Sequence, residues 1–494
     1  MRQRLLSRSK VLTAVGELSQ QTQKRIYLVG GVIRDFLLER PIGKDFDFTA
    51  EGDVGPLARE FARKEGGQAF LLNDFFGTWR VVGKRGKKKT EVDFSPLQGS
   101  DIFSDLRKRD FTVNSLAIPV NEISGSLFPG FIDPLNGLSD LRRKILRANS
   151  AEAMQQDPVR MLRAFRLSCT LGLTIENKTL QMIRDNRTLL LRCSQERIRQ
   201  EFFTALQEPQ AEAFLRNLHQ AGLLAEIFPE IKSWEDLDQG ADHVFPLLEH
   251  AFRTVRAEEF LLTHLAGIFP NQAKNIETHF SQAIEDGLSR KALLKFVALF
   301  HDSGKPATRT FSTAAPFVRF LDHDQEGQRI NTEVARRLKL GRRAVNIISL
   351  LTRQHMRILS LSRVEELSPR AKYRFSKDLG REEVDAIFLA LADGLAMKAV
   401  CFSKTLLGQF PPYVVKLKEI AEELLKYYFE EFTVKKEKPL LSGEDIIAAF
   451  QIPQGKDVGR ILAKLHEAER EGIVHSREEA LEYLKNIDKF RNFS

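Results

Sequence analysis

The sequence predicts an α+β chain of several domains, with a strand-containing first part and helices from there on. Three observations lead to this. The 494 residues are enough for three or four separate cores. Before residue 100, apolar runs are of strand length, rich in β-formers and broken by glycine. From about residue 150, apolar residues recur at helical spacing. The 43% hydrophobic and 29% charged content is that of an ordinary soluble protein. No apolar run reaches the roughly 18 residues of a membrane span. The N-terminal stretch MRQRLLSRSK is basic but lacks the apolar core and cleavage site of a secretion signal. Cys169, Cys193 and Cys401 are too few and too scattered for a disulfide frame or a zinc knuckle. A cytoplasmic location is expected. The net charge of +9 favours a polyanionic partner.

The stretch from Arg25 to Thr49 organises the rest. Ile26-Tyr27-Leu28-Val29 has the length and composition of a strand, and Gly30-Gly31 ends it. A helical pattern follows through Val32, Phe36 and Leu37. Strand, glycine turn and helix start let phosphate oxygens reach backbone N–H groups at the positive end of a helix. A second strand carries Asp45 and Asp47 with Phe46 and Phe48 between and beside them. Residues two apart on a strand share a face, so both carboxylates point one way and both rings the other. Adjacent carboxylates repel unless a cation lies between them, which makes the pair a cradle for Mg²⁺.

Residues 50 to 95 continue with a helix over 54–64 and strands over 68–72 and 79–83. Lys84-Arg85-Gly86-Lys87-Lys88-Lys89 reads as a hairpin turn with five positive charges, a solvated turn or a phosphate contact. The returning strand Glu91-Val92-Asp93-Phe94 puts Glu91 and Asp93 on one face.

Gly30-Gly31 with Arg34-Asp35, followed by Asp45-x-Asp47-x-Thr49, resembles the first motif of the nucleotidyltransferase superfamily. The match to tRNA CCA-adding enzymes and bacterial poly(A) polymerases is close. The resemblance implies a small mixed-sheet head that holds Mg²⁺ on Asp45 and Asp47 and the triphosphate on Gly30, Gly31 and Arg34. Two-metal nucleotidyl transfer calls on a third carboxylate. Asp93, flanked by Val92 and Phe94, is the choice, with Glu91 as the second option.

Leu106 through Ala117 resembles the second motif, R-R-D-F-T-[IV]-N-[AS]. Arg109 is a planar donor suited to phosphate or a base edge. Asp110 and Asn114 suit sugar hydroxyls or the orientation of that arginine. Gly130 through Pro134 and Gly137 through Leu141 match the third motif, a mainly structural link to the neck. Gln156 through Arg166 looks like the fourth motif. Asp157 and Pro158 fit a helix start, and Asp157 and Arg160, three apart, are neighbours on one face. By resemblance, Asp157 and Arg160 choose the incoming nucleotide without a template, and Arg163 and Arg166 join the nucleotide-binding set.

Two departures bear on the complete CCA reaction. The family pattern is usually E-D-x-x-R, and Gln156 stands in its first place here. The segment from Phe94 to Lys108 is short where many full CCA-adding relatives carry a flexible element that switches specificity from C to A. A partner-dependent enzyme adding only CC, or only A, stays open. Ser194 through Phe202 resembles the fifth motif, with Ser194 as N-cap and an expected Arg197–Glu201 pair bracing the neck.

Further on, His250, the doublet His301-Asp302 and Asp393 resemble the ligands of the HD phosphohydrolase family, drawn from three helices converging in a bundle. Imidazole and carboxylate donors suit Mn, Ni, Fe or Zn more than Mg. His323 and His355 are left between a second metal and a substrate phosphate. Lys435 through Pro439 reads as a linker, and Leu441 through Ile447 caps a new helix. Gly455 through Leu462 resembles the tail element of the same tRNA enzymes.

The resemblance thus implies a nucleotidyltransferase head over 1–148, an all-α neck over 149–235, an HD domain over 236–400 and a tRNA-binding tail over 401–494. The expected activity is template-independent addition of C and/or A to the 3′ end of tRNA from CTP and ATP, with no membrane involved. A poly(A) polymerase is the nearest alternative. An HD phosphohydrolase with an RNA-binding head is the alternative of another class.

Overall fold

The computed structural model describes residues 10–41, 45–74, 77–85, 88–123, 130–240, 243–311, 318–407, 410–434 and 440–486. The tip of the basic turn at Gly86 and Lys87, the linker Lys435 through Pro439 and the basic N-terminus before Lys10 lie outside the described residues. Two compact units form. The first takes the chain through Glu201 together with Asn217–Ile227, and the second takes Phe202–Arg216 together with everything from Phe228.

The first unit opens on a six-stranded sheet. Its strands are β1 (Ile26–Val29), β2 (Asp45–Ala50), β3 (Gly67–Asn73), β4 (Thr78–Arg85), β5 (Lys88–Pro96) and β6 (Ala117–Pro119). They lie in the order β3-β4-β5-β2-β1-β6. β2 and β5 run parallel and the other neighbours antiparallel, so the sheet is mixed. β1 is buried at all four positions, as a central strand of apolar residues must be. One face of the sheet is closed by aromatic packing. Phe48 stacks on Phe94 at 5.5 Å between ring centroids, and Phe61, from the helix Gly55–Glu65, meets Phe94 edge-on at 5.5 Å. That helix starts one residue later than expected, with Val54 at its N-cap, and ends at Gly66 in the left-handed region. The opposite face of β2 and β5 carries the acidic side chains.

The same unit continues into helices. Val159–Leu171 buries Val159, Met161, Leu162, Ala164, Phe165 and Leu167 along one stripe and stops at Gly172, whose φ of +64° a residue with a Cβ rarely adopts.

The second unit is helical. Trp234 and a set of phenylalanines form its core, with Phe202, Phe203, Phe228, Phe296 and Phe300 in ring contact. The helix Glu383–Ala396 is buried at every position, which its nearly continuous apolar sequence permits. Three acids nonetheless lie on it: Glu383, Asp385 and Asp393. At the end of the chain, Ser442 caps the helix Gly443–Phe450 through a reciprocal capping box with Asp445. A small separate cluster around Leu441, Ile446, Leu465 and Leu484 holds the last helices together.

Candidate nucleotide site and histidine–aspartate cluster

The register of the sheet assembles the first site. Val29 lies opposite Asp47 across β1 and β2, and Asp47 lies beside Asp93 across β2 and β5. Asp45 lies beside Glu91 in the same register. All four acids therefore share the face opposite Phe46, Phe48 and Phe94. Asp45 is exposed and Asp47 half-buried. Burial, then the neighbouring Asp93 carboxylate, pushes Asp47 up to about 6, against the pull of Arg109. Such a site favours a cation.

Gly30 turns the chain at φ +79°, and Gly31 begins the helix Gly31–Leu37. A Cβ at Gly30 would lie 2.9 Å from Asp47 Oδ2, so only glycine allows the turn to come this close to the carboxylate. Arg34, on that helix, donates from Nε and Nη2 to Asp35 Oδ1 at 2.9 and 2.7 Å and from Nη1 to Asn114 Oδ1 at 2.7 Å. Asn114 in turn donates to Asp110 Oδ1 at 3.0 Å. Arg163 donates to Asp110 Oδ2 at 3.1 Å and to Glu201 Oε1 at 2.8 Å, and Arg166 donates to Glu201 Oε2 at 2.6 Å. A continuous polar chain thus joins the glycine turn to the helix Val159–Leu171. Burial opposes ionisation of Asp110, but Arg163 and Asn114 hold its carboxyl below the usual range.

Two sequence expectations change here. Arg197 and Glu201 do not pair along their helix. Arg197 donates to Asp157 Oδ2 at 2.7 Å, and Glu201 is buried between Arg163 and Arg166. An exposed pair four residues apart is worth only about 0.3–0.5 kcal/mol, and two arginines from a facing helix outcompete it. Asp157 does not cap the helix Val159–Leu171 either. It closes the preceding helix Ala151–Gln156, and Pro158 takes the N-cap position. Arg160 stands 3.7 Å from Asp157 without a hydrogen bond and donates to the carbonyls of Lys108 and Ala153 instead. Asp157 Oδ1 and Arg160 Nε are buried with no hydrogen-bond partner among the described residues. Arg109 bonds Asp105 Oδ2 at 3.0 Å.

Arg80, on β4, was not singled out by the sequence. It donates to both oxygens of Asp93 and contacts Glu91. Counting the hairpin register from the turn would have placed it opposite Asp93. Asp93 is thus turned to Arg80, while Asp45, on the same face, is exposed. Among the described residues, sets of three donors within 4.8 Å occur only in the second unit.

There, His250 (helix Leu247–Thr263), His301 and Asp302 (after the helix Arg290–Phe300), His323 (first residue of His323–Arg337), His355 (after Arg342–Gln354) and Asp393 converge. His250 Nε2 lies 3.0 Å from Asp393 Oδ1 and 3.7 Å from Asp302 Oδ2. His301 Nε2 lies 3.2 Å from Asp302 Oδ2 and 3.5 Å from Asp393 Oδ1. The other oxygen of Asp302 faces His323 at 3.4 Å and His355 at 3.5 Å. Nδ1 of His301, His323 and His355 each meets a backbone carbonyl at 2.7–2.9 Å, which turns Nε2 inward. Lys305 Nζ lies 2.5 Å from Asp302 Oδ2. His250 Nε2, His301 Nε2 and Asp393 Oδ1 are buried with no hydrogen-bond partner among the described residues. Unpaired polar atoms at the centre of such a donor set fit a divalent metal ion.

Comparison with known proteins bears on both sites. Residues 26–147 match the model of the poly(A) polymerase head domain, residues 172–235 that of the probable RNA and SrmB-binding site of polymerase A, and residues 278–398 that of the HD domain. The chain is 32% identical to a CC-adding tRNA nucleotidyltransferase of Thermus thermophilus, covering 94% of each. It is 31% identical to an A-adding tRNA nucleotidyltransferase of Deinococcus radiodurans, covering 93% of this chain and 94% of that one. The fold is similar to that of the Thermotoga maritima CCA-adding enzyme complexed with tRNA-CCA, with a TM-score of 0.60 at 22% identity, over 96% of this chain and 93% of that one.

Proposed function

The chain belongs to the tRNA nucleotidyltransferase family, and from that membership we propose how its own residues carry the reaction. It is a template-independent RNA nucleotidyltransferase that adds C and/or A to the 3′ end of tRNA. The terminal 3′-hydroxyl attacks the α-phosphate of CTP or ATP, and the bond to pyrophosphate breaks.

In our reading Asp45 and Asp47 hold the divalent ion, Mg²⁺, with Asp93, or Glu91 beside it, as the third carboxylate. Bound there, the ion supplies charge neutralisation at the attacked phosphate and a more acidic hydroxyl. Gly30 and Gly31 present backbone N–H groups to the triphosphate, and Arg34 adds its guanidinium. Arg109 takes a phosphate or base edge. Asp110 and Asn114 face the sugar, and Arg163 and Arg166 act through Asp110. The unpaired Asp157 Oδ1 and Arg160 Nε read the base. The head over 1–148 does the chemistry, the neck over 149–235 selects the nucleotide, and the tail over 401–494 binds tRNA. No described helix is long and apolar enough to cross a membrane, and we infer that the enzyme works in the cytoplasm.

The observation that carries this reading is Asp47, flanked by Asp93 in register and by a glycine turn that admits no side chain. The test is incubation with tRNA ending before CCA, in C or in CC, supplied with CTP and ATP separately. Labelled nucleotide should be incorporated, and Asp47→Ala should abolish it; retention of normal incorporation by that variant overturns the assignment. A product ladder far beyond three nucleotides would make the enzyme a poly(A) polymerase.

The donor convergence around Asp302 favours a second activity. The HD domain over 236–400 would bind a transition metal such as Mn, Ni, Fe or Zn on His250, His301, Asp302 and Asp393, and hydrolyse phosphoesters. His323 and His355 would hold a second ion or a substrate phosphate. Phosphate release from 2′,3′-cyclic ends, lost in Asp302→Ala and kept in Asp47→Ala, tests it.

A further inference from the structure

We propose that His243 is a further protein ligand of the metal ion in the histidine–aspartate centre, joining His250, His301, Asp302 and Asp393. The inference rests on the metal reading given above and adds a donor to it. A ligand atom of His243 lies within 4.8 Å of ligand atoms of both His250 and Asp393, so the three form a donor group of their own on one edge of the cluster. The imidazole stands edge-on to His250, 4.8 Å between centroids at 87°.

Nδ1 of His301, His323 and His355 meets a backbone carbonyl, whereas Nδ1 of His243 is buried with no hydrogen-bond partner among the described residues, and a buried polar atom left in that state calls for a group to complete it. His250 Nε2 and Asp393 Oδ1, on the two residues that complete its donor group, are buried without a partner in the same way.

The segment that carries His243 is tied to the cluster at both ends. Val244 N donates to Met397 O at 3.0 Å, and Met397 directly follows the helix bearing Asp393. Gln239 accepts from Lys305 Nζ at 2.8 Å, and Lys305 contacts Asp302. On either side of this stretch, Gln239 Nε2 donates to Phe245 O at 3.1 Å and Leu247 N to Leu237 O at 3.0 Å. The backbone therefore places the His243 ring by contacts to the elements that place the carboxylates. Three imidazoles and two carboxylates suit a first-row transition ion and disfavour Mg²⁺, whose preferred donors are oxygens.

The experiment uses the full-length, metal-stripped chain with Asp45→Ala and Asp47→Ala, which silence the head. Co²⁺ is titrated by calorimetry and its visible absorption is recorded. His243→Ala should weaken Co²⁺ binding on the order of tenfold or more and change the ligand-field bands, with circular dichroism unchanged. His243→Gln should do the same while keeping the side chain's bulk. His466→Ala, an exposed tail position, should change neither. If both His243 variants keep the parent's affinity and spectrum while Asp302→Ala loses Co²⁺, the inference is overturned and the metal site stands. If the parent itself takes up no Co²⁺, the metal reading fails and the inference with it.

Discussion

Arg80 holds Asp93 with two parallel hydrogen bonds, Nε to Oδ1 at 2.8 Å and Nη2 to Oδ2 at 2.7 Å, and its remaining nitrogen lies 3.1 Å from Glu91 Oε2. A planar fork fixes a carboxylate plane in a way that an ammonium cannot. Arg80→Met should lower kcat for nucleotide addition by about 10- to 100-fold with a smaller change in KM for CTP and ATP. Arg80→Lys should recover only part of it. Steady-state kinetics over a Mg²⁺ series checks both, since a freed Asp93 also changes the metal dependence.

Gly30→Ala brings a methyl group to within 2.9 Å of Asp47 Oδ2 at a φ of +79°. The backbone conformation alone costs about 1–2 kcal/mol. Activity should fall by about 100-fold or more, because a misplacement of about 1 Å near the chemistry is enough for that. Gly31→Ala should be milder, since Gly31 is not in the left-handed region and its nearest neighbour, the Arg34 guanidinium, lies at 3.2 Å. Thermal unfolding and single-turnover rates separate the two.

Glu201 is the shared acceptor of Arg163 and Arg166, and its replacement leaves two guanidinium groups facing each other. Glu201→Ala should cost on the order of 3–5 kcal/mol of stability and weaken CTP and ATP binding by releasing Arg163 from its place beside Asp110. Arg197→Met, which touches Asp157, should leave stability nearly unchanged and shift the ratio of C to A incorporation. Denaturant unfolding and competition assays with both nucleotides are the measurements.

Glu383 is fully buried on the helix Glu383–Ala396, and burial pushes its carboxyl from 4.5 up to about 8. The folded state thus binds this proton more tightly than the unfolded chain does. Its contribution is fully present below about pH 4.5 and is lost as pH rises through about 8. Glu383→Gln keeps the shape and removes the titration. The variant should gain on the parent as pH rises from about 4.5 to about 8, by a few kcal/mol at the upper end, and hold that gain above it; equal pH slopes for the two proteins across that window would sink this prediction.

The acidic face, the glycine turn and the sheet-to-helix order were legible because each depends on neighbours in sequence. Alternation along β2 puts Asp45 and Asp47 together whatever the rest of the chain does. The histidine–aspartate cluster was legible for a different reason, since few roles require two imidazoles and two carboxylates on apolar helices. Partner choice was not legible. Glu201 had a plausible mate four residues away, and arginines about 35 positions back in the chain claimed it instead. Arg80 was hidden until strand register was known, and the only sequence mark of His243 is a histidine seven residues before His250.

The way the chain passes between its two units constrains anyone who would take the protein apart. It leaves the first after Glu201, returns at Asn217 and departs for good after Ile227. A gene truncated at codon 201 lacks Leu223 and Leu224, both buried and packed beside the turn Arg187–Arg192. A gene starting at codon 228 lacks Phe202 and Phe203, whose rings line the aromatic core. Neither half can be expressed by a single scissor cut, and a recombinant swap between relatives that keeps each unit from one parent needs three crossovers, after Glu201, Arg216 and Ile227.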